Sequence, residues 1–138
     1  MTIRSRCACT RARRAARSLT DLYDAALQPV GLKITQFSVL RTVERLQPVS
    51  ITALADEMAL ERSALGRNLV LLRERGLVRY ADADDMRQWS IELTPKATGL
   101  LQKALPLWER AQAKVERVLG KSGVDALFGL LEKIEQAA

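Results

Sequence analysis

The 138-residue chain contains no histidine. That removes the commonest general base, every histidine-based catalytic triad and most zinc chemistry. No glycine-rich phosphate loop is present either. Aromatic residues make up only 4% of the chain. The two cysteines, Cys7 and Cys9, stand too close together to staple a fold, which points to a reducing cytoplasm. No apolar run reaches the roughly 20 residues that span a bilayer, and the arginine-bearing N-terminus lacks the apolar core of a signal peptide. The sequence therefore argues against an enzyme, a resident cofactor and a membrane partner.

What the chain does have is positive charge. Lys and Arg number 22 against 16 Asp and Glu, a formal net charge of +6, and such a balance favours polyanionic partners. With 48% hydrophobic and 28% charged residues, the composition is that of an ordinary globular domain long enough to bury a core. No linker, repeat or low-complexity run divides it.

Apolar spacing predicts six helices and a hairpin. From about Cys9 to Gln28, Ala12, Ala15, Ala16, Leu19, Leu22, Tyr23, Ala26 and Leu27 form one stripe expected to be buried; Pro29 and Gly31 end that helix. Thr35 is expected to cap a second helix to about Arg45, with Phe37, Leu40, Val43 and Leu46 inward. Pro48 breaks it. Ser50 caps a third helix whose narrow apolar face is Ile51, Leu54, Ala55 and Met58. A fourth helix starts near Glu61, turns Leu65, Leu69 and Leu72 inward, and stops at Gly76. Leu77–Tyr80 and Trp89–Leu93 read as two strands, Trp89, Ile91 and Leu93 alternating inward, around a charged loop. Thr94-Pro95 opens a long helix that Pro106 should kink and Gly120 should stop. Ser122 is expected to cap a last helix carrying Val124, Leu127, Phe128, Leu131 and Ile134.

The order helix, turn, helix, hairpin from Pro48 to Leu93 is that of a winged helix-turn-helix, which lays one helix in the DNA major groove. The expected fold class is mainly α with a small β-hairpin wing, a winged helix-turn-helix plus N- and C-terminal dimerisation helices. Within a single domain over residues 1–138, about 9–28 and 95–138 would be the dimerisation helices and about 35–93 the DNA-binding module. Both end helices carry more apolar surface than the central module can cover, and a second copy is the expected cover.

On the fourth helix, Arg62, Ser63, Ala64, Gly66, Arg67 and Asn68 lie near the N-terminus and away from the leucine row. Small residues permit close approach, and arginine contacts phosphate or guanine. Ser50 joins the same candidate DNA-binding surface. In the wing, Asp85 is expected to orient Arg87 by a charge-assisted hydrogen bond, so that Arg87 enters the minor groove. The Asp82, Asp84 and Asp85 run lacks the glycine and distal glutamate of a calcium loop, and no metal site is expected. Cys7 and Cys9 leave three readings open. They are structural, they are a redox sensor, or they hold a soft metal between two chains. The redox reading centres on Cys9, because a helix N-terminus with Arg11 and Arg13 nearby lowers a thiol pKa. The arginines Arg4, Arg6, Arg11, Arg13, Arg14 and Arg17 read as a solvated face or as added phosphate contacts. Trp89 and Trp108 fit a core, and Trp108, beside Pro106, is also a candidate to line a ligand cavity.

The chain resembles the multiple antibiotic resistance regulator (MarR) family over nearly its whole length. The resemblance rests on Gly31-Leu32 followed by Thr35-Gln36-Phe37, on Ile51-Thr-Ala-Leu-Ala55, on Leu72-Arg-Glu-Arg-Gly-Leu-Val78, on Asp85-Met-Arg87 and on Leu93-Thr-Pro95, in that order. It implies a homodimeric, cytoplasmic transcription factor, usually a repressor. Such a protein binds inverted-repeat operators in double-stranded DNA and lets go when a small aromatic ligand or an oxidant acts. Three positions depart from the family pattern. Gly66 stands where a serine or threonine is common, Ala97 where a glycine often opens the fifth helix, and Arg87 stands alone where arginines are paired. The N-terminal helix is similar to that of the family's organic-hydroperoxide sensors, with Cys9 at the place of their reactive cysteine relative to Leu19-Thr20 and Leu22-Tyr23. Thr10 and Arg13 replace the aromatic residues those sensors carry. The alternative reading is a winged-helix protein-interaction module without sequence-specific DNA binding.

Replacing Arg87 with Ala is expected to weaken operator binding by about 1–3 kcal/mol. A dissociation constant unchanged in a fluorescence titration would remove Arg87 from the interface.

Overall fold

A computed structural model describes residues 5–81 and 90–138. Helix α1 (Ala8–Leu27) runs into a 3-10 turn (Gln28–Val30), which Gly31 closes at φ 68°. That left-handed conformation is one glycine adopts without a Cβ penalty. Helix α2 (Ile34–Leu46) then begins two residues earlier than expected, with Lys33 at its N-cap and Thr35 inside it. Its first amide is satisfied from a distance: the Ile34 N–H donates to Oδ1 of Asp24 at 2.7 Å, while the Lys33 N–H donates to Oε1 of Gln36 at 3.0 Å. Because Asp24 sits on α1, this cap also fixes α1 against the start of α2.

Strand β1 (Val49–Ser50) leads directly into α3 (Ile51–Met58), where Oγ of Ser50 accepts the Ala53 N–H at 3.1 Å. Helix α4 (Arg62–Glu74) follows a tight turn and stops at Gly76, φ 72°. Strands β2 (Val78–Ala81) and β3 (Ser90–Leu93) pair antiparallel, Val78 opposite Leu93 and Tyr80 opposite Ile91. The expected two-stranded hairpin is in fact a three-stranded sheet in the order β1-β3-β2, with Val49 opposite Ile91. Two residues between Pro48 and a helix show no alternation to read, so the third strand has no sequence signature. Ile91 and Leu93 are buried as predicted; Trp89 lies outside the described residues.

Thr94 opens α5 (Pro95–Leu119) by accepting the Ala97 N–H, and its hydroxyl donates to the Gly76 carbonyl at 2.6 Å. One side chain thus caps α5 and ties it to the end of α4. Helix α5 continues through Pro106 as a single element. Helix α6 (Lys121–Ala137) starts directly after Gly120, φ 73°, so Ser122 is inside the helix rather than its cap.

The core gathers where α2, α3, α4, the sheet and the first half of α5 meet. Leu40, Val43, Leu54, Leu65, Leu69, Leu72, Leu77 and Ile91 are fully buried there. No polar or charged side chain is buried among the described residues. The α1 stripe is covered only in part within one chain. Within one chain only Leu27 is buried, Leu22, Tyr23 and Ala26 are half-buried, and Ala12, Ala15, Ala16 and Leu19 face solvent. Periodicity identifies an apolar face but not the molecule that covers it. At the other end Val118 is 84% exposed and Ile134 61%, with Phe128, Leu130 and Leu131 also open. Between α1, α5 and α6 runs an apolar groove of about 690 Å³, lined by Leu19, Leu22, Val115, Val118, Leu119 and Leu127 among others. Among the described residues no helix is long and apolar enough to cross a membrane.

Thr94→Ala removes the cap and the bond to Gly76 together. It is expected to lower unfolding free energy by about 1–2 kcal/mol, read as a lower urea midpoint; an unchanged midpoint would show that neither contact matters.

Candidate nucleic-acid interface

The helix-turn-helix is set by the chain leaving α3. Ala59 takes the left-handed conformation at φ 51°, and the Leu60 N–H donates to the Ala55 carbonyl at 3.0 Å. Glu61 follows as the extended N-cap of α4. The row Leu65, Leu69 and Leu72 is buried at i, i+4 and i+7, so the opposite row must face out. That outer row is Ser63, Arg67, Val70 and Glu74, all exposed, with Arg62 exposed beside it.

The candidate residues divide into two groups. Ser63 and Arg67 share the open face, and Arg62, at i−3 from Leu65, is exposed at the first position of the helix. Neither arginine has an acidic partner among the described residues. Other arginines are engaged: Arg41 with Glu44 at 2.7 Å, Arg45 with Glu57 at 2.8 Å, Arg79 with Glu92 at 3.1 Å, and Arg73 over the Tyr80 ring at 4.9 Å. Ala64, Gly66 and Asn68 are half-buried on the flanks, and Asn68 turns toward the core side of the helix. A Cβ at Gly66 would meet nothing within 4 Å. Packing therefore does not require glycine there, and its effect is a lower surface beside Arg62 and Arg67. The Ser50 hydroxyl is committed as the α3 cap. Asp85 and Arg87 lie outside the described residues.

Trp108 packs half-buried between the two parts of the molecule. Its ring stacks on Phe37, centroids 6.2 Å apart and 17° between planes, and meets Tyr23 at 6.4 Å. Phe37, Ser38, Arg41, Thr42, Leu105 and Trp108 line an open pocket of about 280 Å³ between α2 and α5. The sequence reading named Trp108 but not Arg41, whose position there depends on how α2 meets α5. The Tyr23 hydroxyl donates to Oε1 of Gln112. Burial, and secondly the nearby Glu116, raise the pKa of that phenol.

At the other end of α1, Cys7 and Cys9 are both exposed thiols. Cys7, not Cys9, occupies the N-cap. No formed cap bond reaches its sulfur, yet the Thr10 hydroxyl and then the Thr10 and Cys9 backbone N–H groups lower its pKa. The donors come from the first turn itself, as expected where helix N–H groups lack partners. The sequence reading centred on Cys9 because it set the helix start too late. Among the described residues no three Cys, Asp or Glu gather as a metal site.

Residues 30–88 match the sequence profile of the MarR family. The fold matches a transcriptional regulator of M. tuberculosis, MosR, solved in complex with DNA, at 42% identity and TM-score 0.82, covering 95% of this chain and 97% of that one. CouR, a transcriptional repressor bound to a 23-mer DNA duplex, matches at 25% identity and TM-score 0.87 over 98% and 99% of the two chains. CouR bound to p-coumaroyl-CoA matches at 25% identity and TM-score 0.86 over 94% and 91%. No curated protein sequence matches the chain. With the helix-turn-helix, its wing strands and this end-to-end likeness to a 42%-identical regulator, the chain belongs to the MarR family.

Proposed function

We propose that this chain is a cytoplasmic, homodimeric repressor of transcription that binds an inverted-repeat site in double-stranded DNA and is released by a small ligand or by thiol oxidation. The observation that carries the reading is the exposed surface of α4, where Arg62, Ser63 and Arg67 stand with no acidic partner among the described residues. Phosphates and guanine edges are the partners that suit them. The relatives at 42% and 25% identity are solved on DNA, which weighs against a protein-interaction module.

The apolar faces of α1, α5 and α6 support the dimer, which places two copies of α4 for two half-sites. The pocket at Trp108 supports a ligand with an aromatic ring to lie against Trp108 and Phe37. An acidic group on it could compete with Glu44 for Arg41. A ligand releases DNA only through a preference for the non-binding form of the dimer.

The thiol route is favoured by the lowered pKa of Cys7. An organic hydroperoxide oxidises the Cys7 thiolate to a sulfenic acid and leaves as the alcohol. The Cys9 thiol then attacks that sulfur, forming a disulfide and releasing water.

Two measurements test this function. In fluorescence anisotropy on DNA from just upstream of its own gene, the chain is expected to bind with an affinity that falls steeply with salt. Arg67→Ala is expected to weaken binding by about 1–3 kcal/mol. Affinity for native DNA no better than for a shuffled duplex removes that operator, and affinity indifferent to salt removes the DNA reading itself. For the thiols, iodoacetamide labelling read by peptide mass spectrometry is expected to modify Cys7 at a pH below the ordinary thiol range. That reactivity should survive Cys9→Ser and vanish in Cys7→Ser; the reverse pattern would return the nucleophile to Cys9.

A further inference from the structure

Val70 occupies a place that the function proposed above does not explain. It is 53% exposed, in the middle of the outward row of α4, at i+7 from Ser63 and i+3 from Arg67. It breaks two local preferences at once. A β-branched residue is a weaker helix former than the straight-chain residues suited to an exposed helix position, and an apolar one gains nothing from facing water. Its apolar neighbour Leu71, 52% exposed, lies on the flank at i+7 from Ala64, so the outer row itself carries a single apolar side chain. Residues that violate local rules without a packing reason concentrate at functional sites.

We propose that Val70 is a specificity-determining residue that reads the C5-methyl group of a thymine in the major groove. The occupant follows from position and chemistry. Val70 continues the row of Ser63 and Arg67 toward the C-terminus, one turn beyond Arg67, so a groove that receives those two side chains runs on beneath Val70. If that surface is the major groove, the apolar feature on offer at the base edges is the thymine methyl. The branched side chain holds one χ1 rotamer in a helix, so its two methyl groups are already fixed in place before binding. Seven residues of helix rise about 10.5 Å, close to three base steps of about 3.4 Å each. The thymine therefore falls within about three base pairs of the pair met by Ser63. Glu74, one turn further along the same row, places a carboxylate where phosphates would repel it, and so marks where the helix leaves the groove.

The inference rests on the DNA-binding reading and can fail separately from it. A duplex selected by the intact chain from a random pool is synthesised with each thymine in turn replaced by uracil, which lacks only the methyl group. At one position per half-site, uracil is expected to weaken binding about fourfold, the worth of one buried methyl. Val70→Ala, whose side chain is not in the core, is expected to fold normally by circular dichroism and to bind the thymine and uracil duplexes alike. Thymine–uracil discrimination that persists undiminished in Val70→Ala overturns the proposal, as does a parent chain indifferent to uracil everywhere. A parent chain that selects no duplex at all overturns the DNA reading along with it.

Discussion

One row of leucines decides how this molecule meets its partner. Leu65, Leu69 and Leu72 lie on one side of α4 and are fully buried against α2, α3 and the sheet. A helix has no freedom to turn once such a row is seated. Rotating it by a single residue would bring an exposed polar or basic position into an interior that holds no buried polar side chain among the described residues. The outward direction of Ser63, Arg67 and Val70 is therefore a consequence of apolar burial two helix radii away. The capping contacts follow the same logic. Thr94 holds the end of α4 to the start of α5, and Arg75 donates from Nη1 to the Gly31 carbonyl at 2.9 Å, joining the same helix to the turn before α2. The reading face is oriented by packing and anchored at its far end by hydrogen bonds.

The two ends of the chain obey a different constraint. The module between α2 and β3 closes its core together with Leu27 and the first half of α5, whereas the start of α1, the end of α5 and α6 leave their apolar faces open. Tyr23, Trp108 and Phe37 form an aromatic bridge between these regions, with the small pocket beside it. A ligand in that pocket, as proposed above, would act on the joint between the two regions. A change at Cys7 acts on the opposite end of the same first helix. The pocket thus lies on α2 and α5 and Cys7 on α1, and neither place is on α4.

Signals contained within one turn of chain were legible before the structure. Ser50 and Thr94 as caps, Gly76 as a stop and the α4 leucine row all depend on residues a few positions apart. What escaped notice depends on distant partners. The α2 cap comes from Asp24, ten residues upstream, and a hydroxyl at Thr35 is the misleading local substitute. The third strand exists only because β3 has a free edge for Val49. The α1 stripe was legible as an apolar face, but a periodic pattern carries no information on how much of it the same chain covers. Val70 escaped because an apolar residue in a helix reads as core until its row is known.

The first half of α1 is the feature with the widest consequence. From Ala8 to Thr20 every residue is exposed, and within its own protomer this stretch does no more than edge the open groove with α5 and α6. An isolated helix of that length is marginal in water, and most helical stability in proteins comes from packing. Cover from a second copy, as proposed above, would tie the stability of that stretch to association, so that the helix would answer to mass action. The cysteines sit at the tip of that stretch, so their exposure to oxidant would track the amount of protein in the cell as well as the amount of oxidant.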